Sequence, residues 1–187
     1  MSPLQLEIEE IATIKAIELN NLWHSRLPNA NYSNIIRTTH KVCFGAKHKN
    51  YWFAVSIWTN PIAKAFNGLG ILELRRMAIH DDSPKNTASR FIKINMIIIK
   101  NKFPDIWKLI SYQDTEVHNG TIYKASGWKA AHVTQSSEIR WGLGGRERNK
   151  IITKAPKIRW EKQIRPEPKQ VITANRIEKE RSQLKLW

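Results

Sequence analysis

The chain has 187 residues, with 31 Lys and Arg against 16 Asp and Glu and a formal net charge of +15. That length fits one domain of ordinary size with room for an appendage, and 41% hydrophobic residues with eight Trp exclude a wholly disordered or collagen-like chain. So large an excess of positive charge implies a polyanionic partner, most simply nucleic acid, because Lys and Arg that neutralise phosphates release condensed counterions.

The longest apolar stretch, residues 92–99, is interrupted by Lys93 and Asn95. It falls far short of the roughly 20 residues needed to cross a bilayer, so no membrane partner is expected. The opening MSPLQLEIEE carries three acids where a secretory leader would be basic and then apolar, which implies a cytoplasmic location. Cys43 is the single cysteine, so neither an intramolecular disulfide nor a Cys-based zinc site is available.

In chain order, Leu4, Leu6 and Ile8 alternate with Gln5, Glu7 and Glu9, which predicts a short half-buried strand. Ile11, Ile14, Ala16, Ile17, Leu19 and Leu22 then recur at three and four, predicting a helix over residues 10–23 that stops before Pro28. Residues 41–48 and 51–58 are β-rich runs around Lys49-Asn50, the pattern of a hairpin. A central strand follows at residues 71–79. A helix with Pro84 in its first turn then extends to Pro104. WKLISYQD reads as a strand, NGTIYKAS as a short helix with Gly127 at its C′ position, and WKAAHV as a last strand. The order β-α-β-β-β-α-β-α-β predicts a mixed α/β sheet flanked by helices.

Beyond residue 133 the pattern changes. Residues 134–187 hold 14 Lys and Arg against six Asp and Glu, an excess of +8 in well under a third of the chain. They read as a basic C-terminal arm on a domain formed by residues 1–133, ending in a short helix-like segment. Arg140, Trp141, Arg146, Arg148, Lys150, Lys157, Arg159 and Trp160 are its candidate nucleic-acid contacts, with the cations on phosphates and the two indoles stacked on bases. The alternative for Trp141 and Trp160 is to pack back on the core.

Several segments together resemble a known family. Glu73, Leu74, Arg76, Asp81, Asp82, Pro84, Asn86 and Thr87 match the pattern E-L-x-R-L-x-(I/V)-x-D-D-x-P-x-N-(S/T). Ser111, Tyr112 and Asp114 then match S-Y-x-D, and Gly120, Tyr123, Ala125 and Trp128 match G-x-x-Y-x-A-x-x-(F/W). These are features of the phage Mom-type DNA-modification proteins, and the same region is similar to the second half of GNAT acyltransferases. The resemblance spans residues 4–133, with weaker similarity at residues 26–30 and at Asn60-Pro61. It implies a GNAT-like mixed sheet and an enzyme that converts the exocyclic amine of adenine in DNA to a methylcarbamoyl derivative. Such an enzyme would protect phage DNA from restriction in the host bacterial cytoplasm. It further implies acetyl-CoA, or another CoA thioester, as donor, and a link to iron. Two other functions remain compatible: a GNAT N-acetyltransferase acting on a protein, tRNA-linked or small-molecule amine, and a non-enzymatic DNA-binding protein on the same fold. Monomer and dimer are both open.

GNAT folds splay two neighbouring strands around pantetheine, and the resemblance assigns that role to residues 71–79 and 107–113. Arg76, Met77 and Ala78 would then line the donor, while Lys85, Asn86, Thr87, Ala88, Ser89 and Arg90 form an anion cradle at a helix N-terminus. Both glycines of the usual loop, Q/R-x-x-G-x-G/A, are absent here, which moves the expected burden to Lys85 and Arg90. Tyr123 stands where many GNAT enzymes place the Tyr that protonates the departing thiolate, a role suited to a phenol of pKa about 10. A core Tyr is the equal alternative. Asp114 is a base for the adenine amine, a metal ligand or a turn former. His24 and His118 would complete an Asp114-centred iron site, and His24 also joins Asp114, Tyr112 and Tyr123 as a catalytic candidate. Tyr32, Trp58 and Tyr112 are the aromatics that could receive a flipped base, with Trp58 favoured as core. Glu73 and Arg75 would pair on one strand face, with Arg76 on the other.

Overall fold

The computed structural model describes residues 1–24, 30–134 and 156–169. Seven strands form one sheet: β1 (Glu7–Glu10), β2 (Lys41–His48), β3 (Tyr51–Thr59), β4 (Ile71–Ile79), β5 (Lys108–Asp114), β6 (Lys129–Thr134) and β7 (Lys157–Gln163). Their spatial order is β1-β2-β3-β4-β5-β7-β6, with β4 and β5 parallel and every other neighbour antiparallel. Helices α1 (Thr13–Trp23) and α2 (Tyr32–Ile36) cover one face; α3 (Thr87–Lys102) and α4 (Thr121–Ala125) cover the other.

The α3 face carries the larger core. Phe91, Ile92, Asn95, Met96 and Ile99 recur along α3 at helical spacing and are buried against Phe44, Trp58, Leu72, Leu74 and Leu109. Burying an Ile or Phe side chain contributes about 1.5–3 kcal/mol. The helix ends at Phe103, whose following proline disfavours another helical residue, and Lys100 and Lys102 complement its C-terminal dipole. On the opposite face, Ala16, Ile17 and Leu19 of α1 join Ile35 against Cys43, Val55, Ile57 and Ala78.

The expected elements appear, with α3 beginning at Thr87, past Pro84, which was expected in its first turn, because left-handed Asn86 precedes the helix, and with three further differences. The first strand begins later, because Ser2 caps a short 3₁₀ turn over Pro3–Gln5. A second helix, α2, follows the first, capped by the Asn31 side chain. The third difference concerns the expected C-terminal arm: Lys157–Gln163 is a strand paired along its length with β5 on one side and β6 on the other. The reason is amphipathic alternation, with Ile158 and Trp160 on the apolar face and Arg159 and Glu161 on the charged one. Trp160 is only 4% exposed and stacks on Tyr123 at 5.4 Å, so its expected role as a base-stacking side chain is corrected to a core role. Arg140, Trp141, Arg146, Arg148 and Lys150, and the helix-like end, lie outside the described residues.

Candidate active site

The parallel ladder between β4 and β5 is short. Ile71 through Leu74 pair with Lys108 through Ser111, and there it stops. Past that point β4 runs on beside β3 as far as Ile79, and β5 runs on beside β7 as far as Asp114. The two strands therefore part in a wedge whose apex is the Leu74–Ser111 pair. A bulge in β4 opposite Ile57 and Trp58 inserts Arg75 as an extra residue, which shifts the face of everything after it. Leu72 and Leu74 face α3 before the bulge, as do Met77 and Ile79 after it. Arg76, opposite Ile57, therefore turns to the α1 face with Glu73, not to the opposite face as strict alternation predicts.

On the α3 side, a pocket of about 430 Å³ opens between the end of β4, the loop after it, the first turn of α3, and α4. Asn86 precedes the helix with φ 67°, the left-handed conformation that glycine supplies in the usual loop and that Asn tolerates better than most other residues. Its side chain makes no cap bond. The N–H of Thr87 donates to the Pro84 carbonyl and that of Arg90 to the Asn86 carbonyl. The amides of Ala88 and Ser89 stand at the two positions between, where no helical carbonyl reaches them. Sixteen residues of aligned peptide dipole lie behind them. These amides, with exposed Lys85 beside them, fit a pyrophosphate. Arg90 takes another part: its guanidinium donates to the Leu6 carbonyl at 3.1 Å and ties α3 to the N-terminal segment. Arg76, Met77 and Ala78 lie on β4 past the apex, where their ladder is with β3 and an extended ligand can meet the side facing β5.

Tyr123 reaches the apex from α4. Its hydroxyl lies 2.9 Å from the Ser111 Oγ, and Ser111 in turn donates to the Leu74 carbonyl. Each hydroxyl carries one proton, so Ser111 can donate to Leu74 while accepting from Tyr123, or turn to donate to the Tyr123 oxygen. Burial pushes the phenol above its ordinary pKa, so it stays protonated at neutral pH. Trp160 stacks on the ring and Trp128 meets it edge-on. Trp160 Nε1 donates to Gln113 Oε1 at 2.7 Å, and Gln113 Nε2 donates to the His118 carbonyl. Gly120, with φ 69°, lies against this network; a Cβ there would stand 2.6 Å from Gln113 Oε1 and from the Trp160 ring.

The opposite side of the wedge is charged. Tyr112, half-buried, bonds Arg159, and burial together with nearby Glu73 pushes its phenol up. Glu73 is buried; that burial raises its carboxyl pKa, although the Ile62 N–H donates to it at 3.0 Å. Arg76 is partly buried, donates to the Arg75 carbonyl and leaves its Nε without a partner. Arg159 also bonds Glu161 and sits over the Phe66 ring at 5.0 Å, so it belongs to this cluster and not to a separate arm; Lys157 pairs opposite Asp114 at the end of the same strand.

His24 closes α1. Burial, then Arg76, then His118 lower its pKa to about 4, so it is neutral at pH 7. His24 and His118 thus come near one another, but the expected iron site does not assemble. Among the described residues no three His, Cys, Asp or Glu are grouped to hold a metal. Asp114 instead accepts the Glu116 N–H with its carboxylate and the Val117 and His118 N–H groups with its carbonyl, which makes it the turn former. Of the aromatics expected for a flipped base, Trp58 is core, Tyr32 is exposed on α2 and Tyr112 alone faces the wedge.

A sheet opened between parallel β4 and β5, with an anion cradle at the next helix and a hydroxyl at the apex, defines the GNAT acyltransferase fold. The ribosomal-protein-S18-alanine N-acetyltransferase from Escherichia coli superposes with a TM-score of 0.62 at 10% identity, over 88% of this chain and 97% of its own. A GNAT family acetyltransferase from Elizabethkingia anophelis, solved with acetyl-CoA bound, gives 0.58 at 14% identity over 86% and 99%. Within that fold the chain belongs to the Mom protein family, whose model matches residues 5–183. It is also similar to the methylcarbamoylase mom of Escherichia phage Mu, with 35% identity over 60 residues, 32% of this chain and 25% of the relative. That match spans about a quarter of the length of the curated relative. Among the described residues no helix is long and apolar enough to cross a membrane.

Proposed function

We propose that the chain is a DNA-modifying acyltransferase of phage origin that acts on the exocyclic amine of adenine, with a CoA thioester as donor. The observation that carries this reading is the family match over residues 5–183 on a sheet whose wedge and anion cradle fit an acyl-CoA. In this reading the donor's pyrophosphate lies on the Ala88 and Ser89 amides and Lys85, and its pantetheine runs along Arg76, Met77 and Ala78 to the apex. Tyr123 passes its hydroxyl proton to the departing thiolate as the thioester C–S bond breaks, and the Ser111 hydroxyl turns to donate to the phenolate left behind. The acceptor enters from the charged side. A base in duplex DNA must leave the stack to reach the apex, and Tyr112 offers it a ring. His24, neutral at pH 7, stands near Arg76 on that side and is the residue proposed to meet the acceptor.

Acyl transfer alone joins a carbonyl carbon to the adenine nitrogen. A methylcarbamoyl group has a nitrogen between methyl and carbonyl that an acetyl donor lacks, so the step proposed for these residues is the acyl transfer itself, with the CoA thiol as leaving group. The basic segment with Arg140, Arg146, Arg148 and Lys150 contacts the DNA backbone, and the modified adenine protects phage DNA from restriction in the bacterial cytoplasm.

The test is to express the chain in bacteria, digest total DNA to nucleosides and measure adenosine masses. A modified deoxyadenosine present with the wild type and lost with Tyr123→Phe is the expected result. Unmodified DNA, together with an acetylated protein or tRNA in the same cells, would overturn it.

A further inference from the structure

A second pocket, of about 360 Å³, lies on the α1–α2 side of the sheet. Arg37 from the end of α2 and Arg75 from the β4 bulge both line it, together with Thr39, Asn60 and Asn67. No Asp or Glu is among its lining residues. Asn60 accepts the His40 N–H through its Oδ1 at 2.8 Å, which leaves its NH₂ group as a donor. At the rim, Arg159 sits over Phe66, next to Asn67, while its other contacts reach Tyr112 and Glu161. Two acids stand outside the lining: Glu73, which accepts the Ile62 N–H, and Asp105, which is paired with His40 at 2.8 Å. Two guanidiniums and two amides therefore line an open concavity to which no carboxylate contributes. Guanidinium and amide donors converging in this way match a phosphate oxyanion.

We propose that this pocket seats a backbone phosphate of the DNA strand beside the nucleotide being modified. The inference rests on the DNA-modifying reading above and adds a register to it. Arg75 belongs both to the pocket and to the wedge, so a phosphate held there fixes how far the neighbouring nucleotide lies from Tyr112 and the apex. Phosphate contacts set position without reading sequence.

The experiment measures binding of a short DNA duplex to the full chain at several salt concentrations between about 50 and 200 mM, by fluorescence anisotropy, with acetyl-CoA binding measured in parallel. Each phosphate contact contributes about 0.9 to the slope of log K against log salt. Arg37→Gln is expected to lower that slope by about 0.9, Arg37→Lys to restore it, and neither to change acetyl-CoA affinity. One neutral methylphosphonate linkage beside the target adenine is expected to weaken the wild type and leave Arg37→Gln unchanged. A wild type that binds DNA with a slope unaltered by Arg37→Gln would overturn this site and leave the proposed function standing. An equal loss from Lys49→Gln, on the distant hairpin turn, would also overturn it, since diffuse charge would then explain the slope. Failure of the wild type to bind DNA would overturn both readings together.

Discussion

The two sides of the β4–β5 wedge are built from opposite materials. On the α3 side the groups that could touch a ligand are backbone amides and one buried hydroxyl, locked by Trp160, Trp128 and Gln113. On the α1 side they are long charged side chains: Glu73, Arg75, Arg76 and Arg159. Backbone amides on a 16-residue helix cannot adapt, and they suit a ligand that is always the same. Guanidiniums on flexible stems suit a polymer that arrives in many sequences but with one repeating charge. The apex, where Ser111 bonds both Leu74 and Tyr123, is the boundary between the two.

That contrast breaks most completely if its rigid side is emptied. Trp160→Ala removes the ring stacked on Tyr123 and is expected to cost about 3–5 kcal/mol in denaturant unfolding. The same residue read as a base-stacking side chain would lose DNA affinity with little loss of stability. Tyr123→Phe keeps the ring and removes the proton, so transfer should slow by about 10²- to 10⁴-fold while donor affinity holds; single-turnover kinetics with a calorimetric titration would separate the two. Gly120→Ala forces a side chain into the Gln113–Trp160 contact at positive φ and should destabilise by about 1–3 kcal/mol. Asn86→Gly should be tolerated, whereas Asn86→Ala should cost about 1–2 kcal/mol and weaken acetyl-CoA binding, because the left-handed residue sets up the amides after it.

The smallest effect expected belongs to the charged side. His24 is depressed in the folded chain relative to an ordinary His, so it contributes stability that is present above about pH 6.5 and is lost as pH falls through about 4. An imidazole NMR titration should find it neutral at pH 5.5, and His24→Gln should flatten stability between pH 6.5 and 4. A His24 that titrates near 6.5 would contradict its burial first, and then its approach to Arg76.

The wedge was legible because its parts carry period and punctuation: alternation in residues 71–79, helical spacing from Phe91 to Ile99, and Gly127 at the end of α4, where φ is 75°. Strand β7 was hidden. Its apolar residues, Ile158 and Trp160, sit among Lys157, Arg159, Glu161 and Lys162, a density of charge that also describes a solvated arm. The residues that would have revealed it are Ile158, Trp160 and Ile164 at two- and four-residue spacing between Pro156 and Pro166, and all three pack on the same core. The β4 bulge left no mark in sequence either, because an inserted residue is defined by its partners on β3. For that reason strict alternation puts Arg76 on the wrong face, and the pocket between Arg37 and Arg75 has no mark in the sequence. The left-handed Asn86 was foreseeable from residue type alone, since Asn is the usual substitute where a loop has lost its glycine.

Strand β7 lies between β5 and β6, although it comes last among the described strands. During synthesis, β6 emerges with no partner to pair with and β5 stands as an exposed edge until Lys157–Gln163 has left the ribosome. Until then Tyr123 has no Trp160 to cover it, so the packing at the apex waits for the closing of the sheet. A chain released early would present an unpaired, apolar strand edge, the kind of surface that aggregates.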